Sequence, residues 1–471
     1  MAGIIIAIVA IITVAWLIIA KAHAASAIFV VGTILLLIAG LMGKVSASTV
    51  EIKSSGTALY DELLIIEHII AGRFSGIGLS IMVLFGFVAY MRHIGADARS
   101  VVMLSAPLKR FHGSYWLVPI TFVLGSVLSL VVPSAAGLSL LLIATLLPAL
   151  IAAGLSPLTV GAVIVTSSTI MPTPLEAGII QGAKLTGMTP SSFVFGHVAK
   201  ATVPTLILTS LVHMWWQWYM DRRDVRAGRG HDPHVAADDQ ADRATAEAME
   251  RASTVPAAYA LLPILPLLVI IVTAILNQSG AIGFEFGIVP TTVVCSLFAL
   301  ICEMIRTRSV TSVFDGFKSF FTGMGDAAGG VVALVIAASV LVEGIQQLGI
   351  ITALTDAARS SHGAATVVSL SFVAATALLS VLTGSGTAPY FSFAEVVGHL
   401  PASSGVLPVR TLTAIWGTSN LMRQASPVCA AVLIVAGAIK VSPAELVKRT
   451  AVPMTIATIC NAILAMLFIQ V

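Results

Sequence analysis

Thr383-Gly384-Ser385-Gly386-Thr387-Ala388-Pro389 stands in the middle of the apolar run 364–400, and Pro133-Ser134-Ala135-Ala136-Gly137 stands in the middle of another, 115–150. A helix needs roughly 20 apolar residues to cross a hydrocarbon core of about 30 Å. The arms on either side of each polar knot have only some 12–18. Each run therefore reads as a re-entrant hairpin that enters and leaves on the same side of a membrane. Two short but complete spans are the competing reading.

The rest of the chain identifies the solvent. Of 471 residues, 58% are hydrophobic and 10% charged, whereas a soluble domain carries nearer ~25% charged residues. Ten further apolar stretches read as spans: 3–20, 27–43, 75–92, 158–183, 203–219, 255–277, 287–304, 329–347, 411–439 and 451–469. The first outlasts a usual signal-peptide core, lacks a preceding basic residue and is followed at once by a second span, so it reads as a retained helix. A net charge of +3 without any like-charge block argues against a nucleic-acid partner. The four cysteines have no metal-ligand spacing and read as small buried hydrophobes. No His-Glu-x-x-His, Cys-x-x-Cys or Gly-Lys-Ser/Thr motif occurs, so neither an enzyme nor a metal or cofactor is expected.

Basic residues orient the spans, because cytoplasmic segments are enriched in Lys and Arg. With the N-terminus outside, 17 of the 25 fall in inner segments and 7 in outer ones, leaving Arg423 inside a span. Both termini are thus expected on the periplasmic side of a bacterial inner membrane. Residues 44–73 look too charged to span, and Leu63-Leu64-Ile65-Ile66 suggests a helix lying on the surface. The hydrophilic stretch 220–254 reads as a mobile cytoplasmic linker. Trp215, Trp216 and Trp218 read as interfacial anchors.

A duplication ties these parts together. Ser385 stands 251 residues after Ser134, Ser419 stands 251 after Ser168, and Pro157 and Pro408 obey the same offset. Two copies follow, 1–219 and 255–471, each with five spans and one hairpin. Five is odd, so the second copy lies upside down relative to the first. Inverted repeats with interrupted helices are a signature of secondary transporters, whose site lies near the bilayer midplane.

Each copy carries a second interruption inside a long span: Thr166-Ser167-Ser168-Thr169-Ile170-Met171-Pro172-Thr173-Pro174 in 158–183, and Trp416 through Pro427 in 411–439. Proline removes an amide donor and breaks the helix, and unpaired backbone at membrane depth is tolerated where it lines a cavity or is buried in protein. Freed amides at half-helix N-termini suit an anion, and freed carbonyls suit a cation. The substrate-binding candidates are therefore Ser134, Ala135, Gly137, Ser168, Thr169 and Thr173 in the first copy. In the second they are Thr383, Gly384, Ser385, Gly386, Thr387, Ser419, Asn420 and Arg423. For the hydroxyls the competing reading is a bond to their own helix backbone. Arg423 suits a substrate carboxylate or clamps free carbonyls. Glu176 is the coupling-ion candidate, as a proton carrier or a partner for Arg423, against a plain helix-end carboxylate in contact with water. Glu303, Asp326, Glu343 and Glu395 lie near span ends and read as interfacial.

At these residues a family resemblance emerges. Gly86-Phe87-Val88-Ala89-Tyr90-Met91-Arg92-His93-Ile94-Gly95-Ala96, the 383–389 knot, Ser419-Asn420-Leu421 with Arg423 and Ser426-Pro427, and Lys440-Val441-Ser442-Pro443-Ala444-Glu445 resemble the anaerobic C4-dicarboxylate carrier family (DcuC-like). The resemblance implies membership of the ion transporter superfamily. It also implies a homodimer with a fixed scaffold and a mobile, elevator-type transport domain holding both hairpins. Implied substrates are succinate, fumarate or related dicarboxylates, moved by exchange or with Na+ or H+ coupling. The first copy departs from the pattern at Pro133, Ala136 and Pro174. The expected class is thus an all-α polytopic membrane protein with about ten transmembrane helices. An amino-acid antiporter of the same superfamily and an anion channel are the alternatives.

Overall fold

The computed structural model describes residues 2–44, 48, 50, 52–105, 115–168, 171–228, 249–284, 286–360 and 363–469. The described residues are helical without strands, and ten of their helices are long and apolar enough to cross a membrane. That architecture follows from the solvent: without water to bond to, the backbone must satisfy itself within each segment.

Among the described residues three helices are far longer than one crossing, and each runs through a π segment; Pro190–Arg226, through Val194–Val198, is one. Ala58–His93 runs without a break through a π segment, Phe74–Gly78, and Val310–Gln347 does the same through Ala328–Val332. This corrects the surface-helix reading of 44–73, because residues 58–73 continue directly into the span that follows. The charges that suggested a surface are held by partners instead: Asp61 accepts from Ser54 Oγ and the Ser55 amide, and Gln347 donates to Glu62. Helices 58–93 and 310–347 lie against each other where small residues permit it. A Cβ on Gly86 would stand 2.7 Å from the Phe320 carbonyl oxygen, and one on Gly323 2.7 Å from that of Phe85. Such close backbone approach is how helices associate when lipid supplies no hydrophobic drive.

The expected span 158–183 is two short helices, Pro157–Ser167 and Ala177–Leu185, with non-helical backbone at 171–175. Its counterpart, Pro408–Met422, passes through a 3-10 turn, Arg423–Ala425, and resumes as Ala430–Ala438. Leu117–Leu128 and Ala135–Thr145 flank the first polar knot. Ala364–Thr383 and Thr387–Gly398 flank the second. Ala364–Thr383 has 20 residues, longer than the arm read from the sequence and long enough to cross. The stretch 220–254 is shorter as a linker than expected, since Ala199–Arg226 stays helical to its end. Residues 229–248 lie outside the described residues.

The buried core crosses over between the copies. One apolar cluster joins the first knot's helices and Pro157–Ser167 to residues 429–439, beyond the second break. Another joins residues 177–183, beyond the first break, to the second knot's helix and 406–416, before the second break. Both breaks therefore fall at the seam between the two clusters.

Candidate functional site

Each knot presents a helix N-terminus with a serine hydroxyl bonded to an amide of its first turn. Ser134 Oγ accepts from the Gly137 amide at 3.2 Å, and Ser385 Oγ accepts from the Ala388 amide at 3.4 Å. Ser134 is the N-cap of its helix, whereas in the second copy Gly386 holds the N-cap position and Ser385 reaches the Ala388 amide from one residue before it. Thr383 Oγ1 accepts from the Ser385 amide, and the Ser385 and Thr387 hydroxyls are 3.1 Å apart.

The knots are seated on the breaks. In the second copy Gly384 has φ +67, and a Cβ there would stand 2.7 Å from the Cys429 amide nitrogen. A left-handed conformation and a close approach thus both require glycine at this position. A Cβ on Gly386 would stand 2.8 Å from the Ser419 carbonyl oxygen. In the first copy the Met171 amide donates to Ser129 Oγ at 3.0 Å, tying that tip to the first break. The breaks also reach each other, because Arg423 Nη2 donates to the Ser168 carbonyl at 3.3 Å. Arg423 Nε is buried and has no partner among the described residues.

Several hydroxyls are committed to their own helices. Ser168 donates to Val165, Thr383 to Leu379 and Ser419 to Trp416 carbonyl oxygens, and Asn420 Nδ2 donates to the same Trp416 carbonyl. Such bonds use the single hydroxyl proton and leave only lone pairs outward. Thr173 Oγ1 accepts from the Leu175 amide at 3.4 Å. Donors that remain for an anion are the helix-start amides near Ala135 and Thr387, the Ser385–Thr387 hydroxyl pair, the second amide hydrogen of Asn420 and Arg423. Thr169 lies outside the described residues.

Glu176 caps Ala177–Leu185, its Oε2 accepting from the Ile179 amide at 2.8 Å and from Trp416 Nε1 at 2.7 Å. A carboxylate at a helix N-terminus is stabilised as the anion. Glu176 and Arg423 are not within ion-pair distance of each other.

Other polar groups escaped the sequence reading. Arg92, noted only as part of a motif, brings Nη2 3.0 Å from where a Cβ on Gly137 would lie, beside the first tip's helix start. Its guanidinium also faces Asp97 at 3.8 Å, and burial pushes the Asp97 carboxyl above its ordinary range. Glu395 and Glu343, read as interfacial, are buried, as is Glu303, whereas Asp326 is exposed. Arg449 is 2% exposed and pairs with Asp221 at 2.7 Å and Asp224 at 2.6 Å. Arg449 lies 228 and 225 positions from its two acids, and proximity across such distant segments leaves no periodic trace in a sequence.

The sequence profile of the C4-dicarboxylate anaerobic carrier family, DcuC, matches residues 2–470. The chain belongs to that family. The carrier is 34% identical over 452 residues to the anaerobic C4-dicarboxylate transporter DcuC of Escherichia coli strain K12, covering 96% of this chain and 93% of that protein. It is 31% identical over 424 residues to a probable anaerobic C4-dicarboxylate transporter DcuC of Vibrio cholerae, covering 90% and 88%. Among solved structures, the YdaH transporter of Alcanivorax borkumensis superposes with a TM-score of 0.59 at 16% identity, over 94% of this chain and 97% of that one. That likeness speaks for the fold alone. Family membership makes this chain a multi-pass bacterial membrane transporter and not an enzyme.

Proposed function

We propose that the chain carries C4-dicarboxylates of the succinate and fumarate type across the bacterial inner membrane by alternating access. Both termini are periplasmic and the carrier is a homodimer. The observation that carries the reading is the meeting of the two breaks and their tips: Arg423 on the Ser168 carbonyl, Gly386 on Ser419, and Met171 on Ser129. The named relatives, read as C4-dicarboxylate transporters, supply the substrate class.

A dicarboxylate has two anionic ends, and the site has two matching donor groups. One carboxylate sits between the Thr387 helix start, the Ser385–Thr387 hydroxyls and Arg423. The other sits at the Ala135 helix start, with Arg92 at its edge. Helix-end amides meet a carboxylate with partial positive charge, and a guanidinium neutralises what remains.

The two copies, 1–219 and 255–471, are inverted repeats. Three features support this: the knot serines 251 residues apart, each bonded to an amide of the helix that follows, two of the π segments 254 apart, and a broken helix in each copy. In each half the knot and broken helix form a transport domain with re-entrant hairpins. The long helices 58–93 and 310–347 form the scaffold past which that domain slides as an elevator, by exchange or with cation coupling. The test is counterflow of labelled succinate into proteoliposomes, challenged with unlabelled dicarboxylates and amino acids. Saturable uptake displaced by fumarate supports the reading. Displacement by amino acids alone, or unsaturable flux, overturns it.

A further inference from the structure

Glu395 lies on Thr387–Gly398, one turn from the end of the helix that starts at the second tip, and it is fully buried. Its two oxygens are held by different parts of the molecule. Oε2 accepts from Arg73 Nη2 at 2.8 Å, and Oε1 accepts from Gln181 Nε2 at 2.6 Å. Arg73 belongs to the long helix 58–93, immediately before its π segment, and its Nε donates to Ser339 on the other long helix at 2.8 Å. Gln181 belongs to Ala177–Leu185, beyond the first break. The carboxylate and its amide partner therefore sit on the proposed transport domain, and the guanidinium with its serine on the proposed scaffold.

Among the described residues, the charged or titratable groups around Glu395 are few. Arg73 faces it from the long helix, and Ser339 supports that arginine from the other. His399 Nδ1 is 4.0 Å from Oε2, one turn along the same helix. Tyr390 lies within electrostatic range of both Glu395 and Glu176, its hydroxyl donating to the Gly178 carbonyl. Trp416, from Pro408–Met422, is occupied with Glu176. A cavity of about 340 Å³ lined by Gly76, Ile77, Ser80, Ile180 and Lys184 lies between the π segment and Ala177–Leu185, beside the neighbours of Arg73 and Gln181.

We infer that Glu395 and Arg73 form a proton-released latch between the two domains, and that translocation proceeds when Glu395 is protonated. The inference rests on the sliding movement proposed above. Sliding withdraws Glu395 from Arg73, and breaking a buried ion pair leaves an uncompensated charge away from water. Taking a proton from water, to which the Arg73 side of the pair is partly exposed, turns the carboxylate into a neutral acid, which still bonds Gln181 but no longer holds the guanidinium. Redocking onto Arg73 returns the proton to water. Glu176 is not required for this step, because its charge is satisfied wholly within the transport domain by Ile179 and Trp416.

The test is the pH profile of succinate counterflow in sodium-free proteoliposomes, with equal pH on both sides. As pH falls the rate of the wild-type protein rises, towards about tenfold per unit where one proton limits it. Glu395→Gln cannot hold Arg73 as an ion, so its counterflow at neutral pH is faster and its profile is flat apart from the substrate's own titration. Arg73→Gln flattens the profile in the same way, and Glu395→Asp restores a slope. His399 lies on the same helix as Glu395 and its Nδ1 donates to the Glu395 backbone carbonyl, so it moves with the carboxylate and His399→Gln retains the slope. If Glu395→Gln fails to give a monodisperse protein, Arg73→Gln and Glu395→Asp decide the matter. A flat wild-type profile, or a wild-type slope retained in Glu395→Gln or Arg73→Gln, overturns the latch while leaving transport standing. Absence of any counterflow in the wild type overturns the transport reading and the latch with it.

Discussion

Gly384 offers a way to ask whether the second tip must sit on the second break for substrate to bind. Its φ of +67 places it in the left-handed region, where an L-residue costs roughly 1–2 kcal/mol. A Cβ would also stand 2.7–2.9 Å from the Val428 carbonyl carbon and the Cys429 amide nitrogen and Cα. These are backbone atoms that cannot rotate away, and overpacking of this kind costs typically about 1–3 kcal/mol. Together the two effects give about 3 kcal/mol against the seated tip, or roughly a hundredfold in an equilibrium. Gly384→Ala is therefore expected to raise the KM for succinate counterflow by about that factor, with expression and detergent-phase homogeneity intact.

Two companion variants separate the causes. Gly386 has an ordinary backbone but would place its Cβ 2.8 Å from the Ser419 carbonyl oxygen, so Gly386→Ala tests contact alone, with about a tenfold loss. Gly363 has φ +88 with open space around it, so Gly363→Ala tests the dihedral alone, away from the tip, and should leave KM within about twofold. If Gly384→Ala and Gly386→Ala both transport with wild-type KM, the approach of tip to break has no part in binding.

Further outcomes follow from the same geometry. Trp416→Phe removes one of two donors to Glu176 and should weaken counterflow about tenfold, in line with roughly 1.5–3 kcal/mol for a hydrogen bond to a charged group; unaltered kinetics would remove Trp416 from the site. Arg449→Met leaves Asp221 buried but still bonded to Tyr115, Ser156 and Thr159, so a loss near the lower end of about 3–5 kcal/mol is expected, read as a lower melting temperature in detergent. For Asp97 the raised carboxyl adds stability below the ordinary carboxylate range and loses it as pH climbs through the raised value. Asp97→Asn should therefore melt higher than wild type near pH 8 and match it near pH 4, roughly at the ordinary value; equal melting at both would deny that Asp97 is strained by burial.

The course of the chain was legible where solvent alone decides it. Apolar runs, the two polar knots and the Pro-rich breaks stand out locally, and the structure places a helix start or a helix gap at each. Helix 58–93 was misread because Asp61, Glu62 and Arg73 look like surface. Arg73 finds Glu395 322 positions away, and Glu62 finds Gln347 285 positions away, distances no local pattern spans. The hydroxyl candidates show the opposite problem. Their positions were legible, but whether Ser168, Thr383 and Ser419 turn their protons towards a guest or their own carbonyls depends on rotamer, and here they turn inward.

The π segments of helices 58–93 and 310–347 carry a further consequence for how this molecule can vary. Each widened turn, at Phe74–Gly78 and Ala328–Val332, adds one residue to an otherwise regular ladder and so shifts the phase of everything beyond it by about 100°. Arg73 precedes the first of them and Gly86 follows, so one end of the rod aims at Glu395 and the other at Phe320 under separate angular settings. Deleting a single residue from either widened turn would swing a whole flank of side chains out of alignment at once, whereas a substitution there would leave both settings where they are.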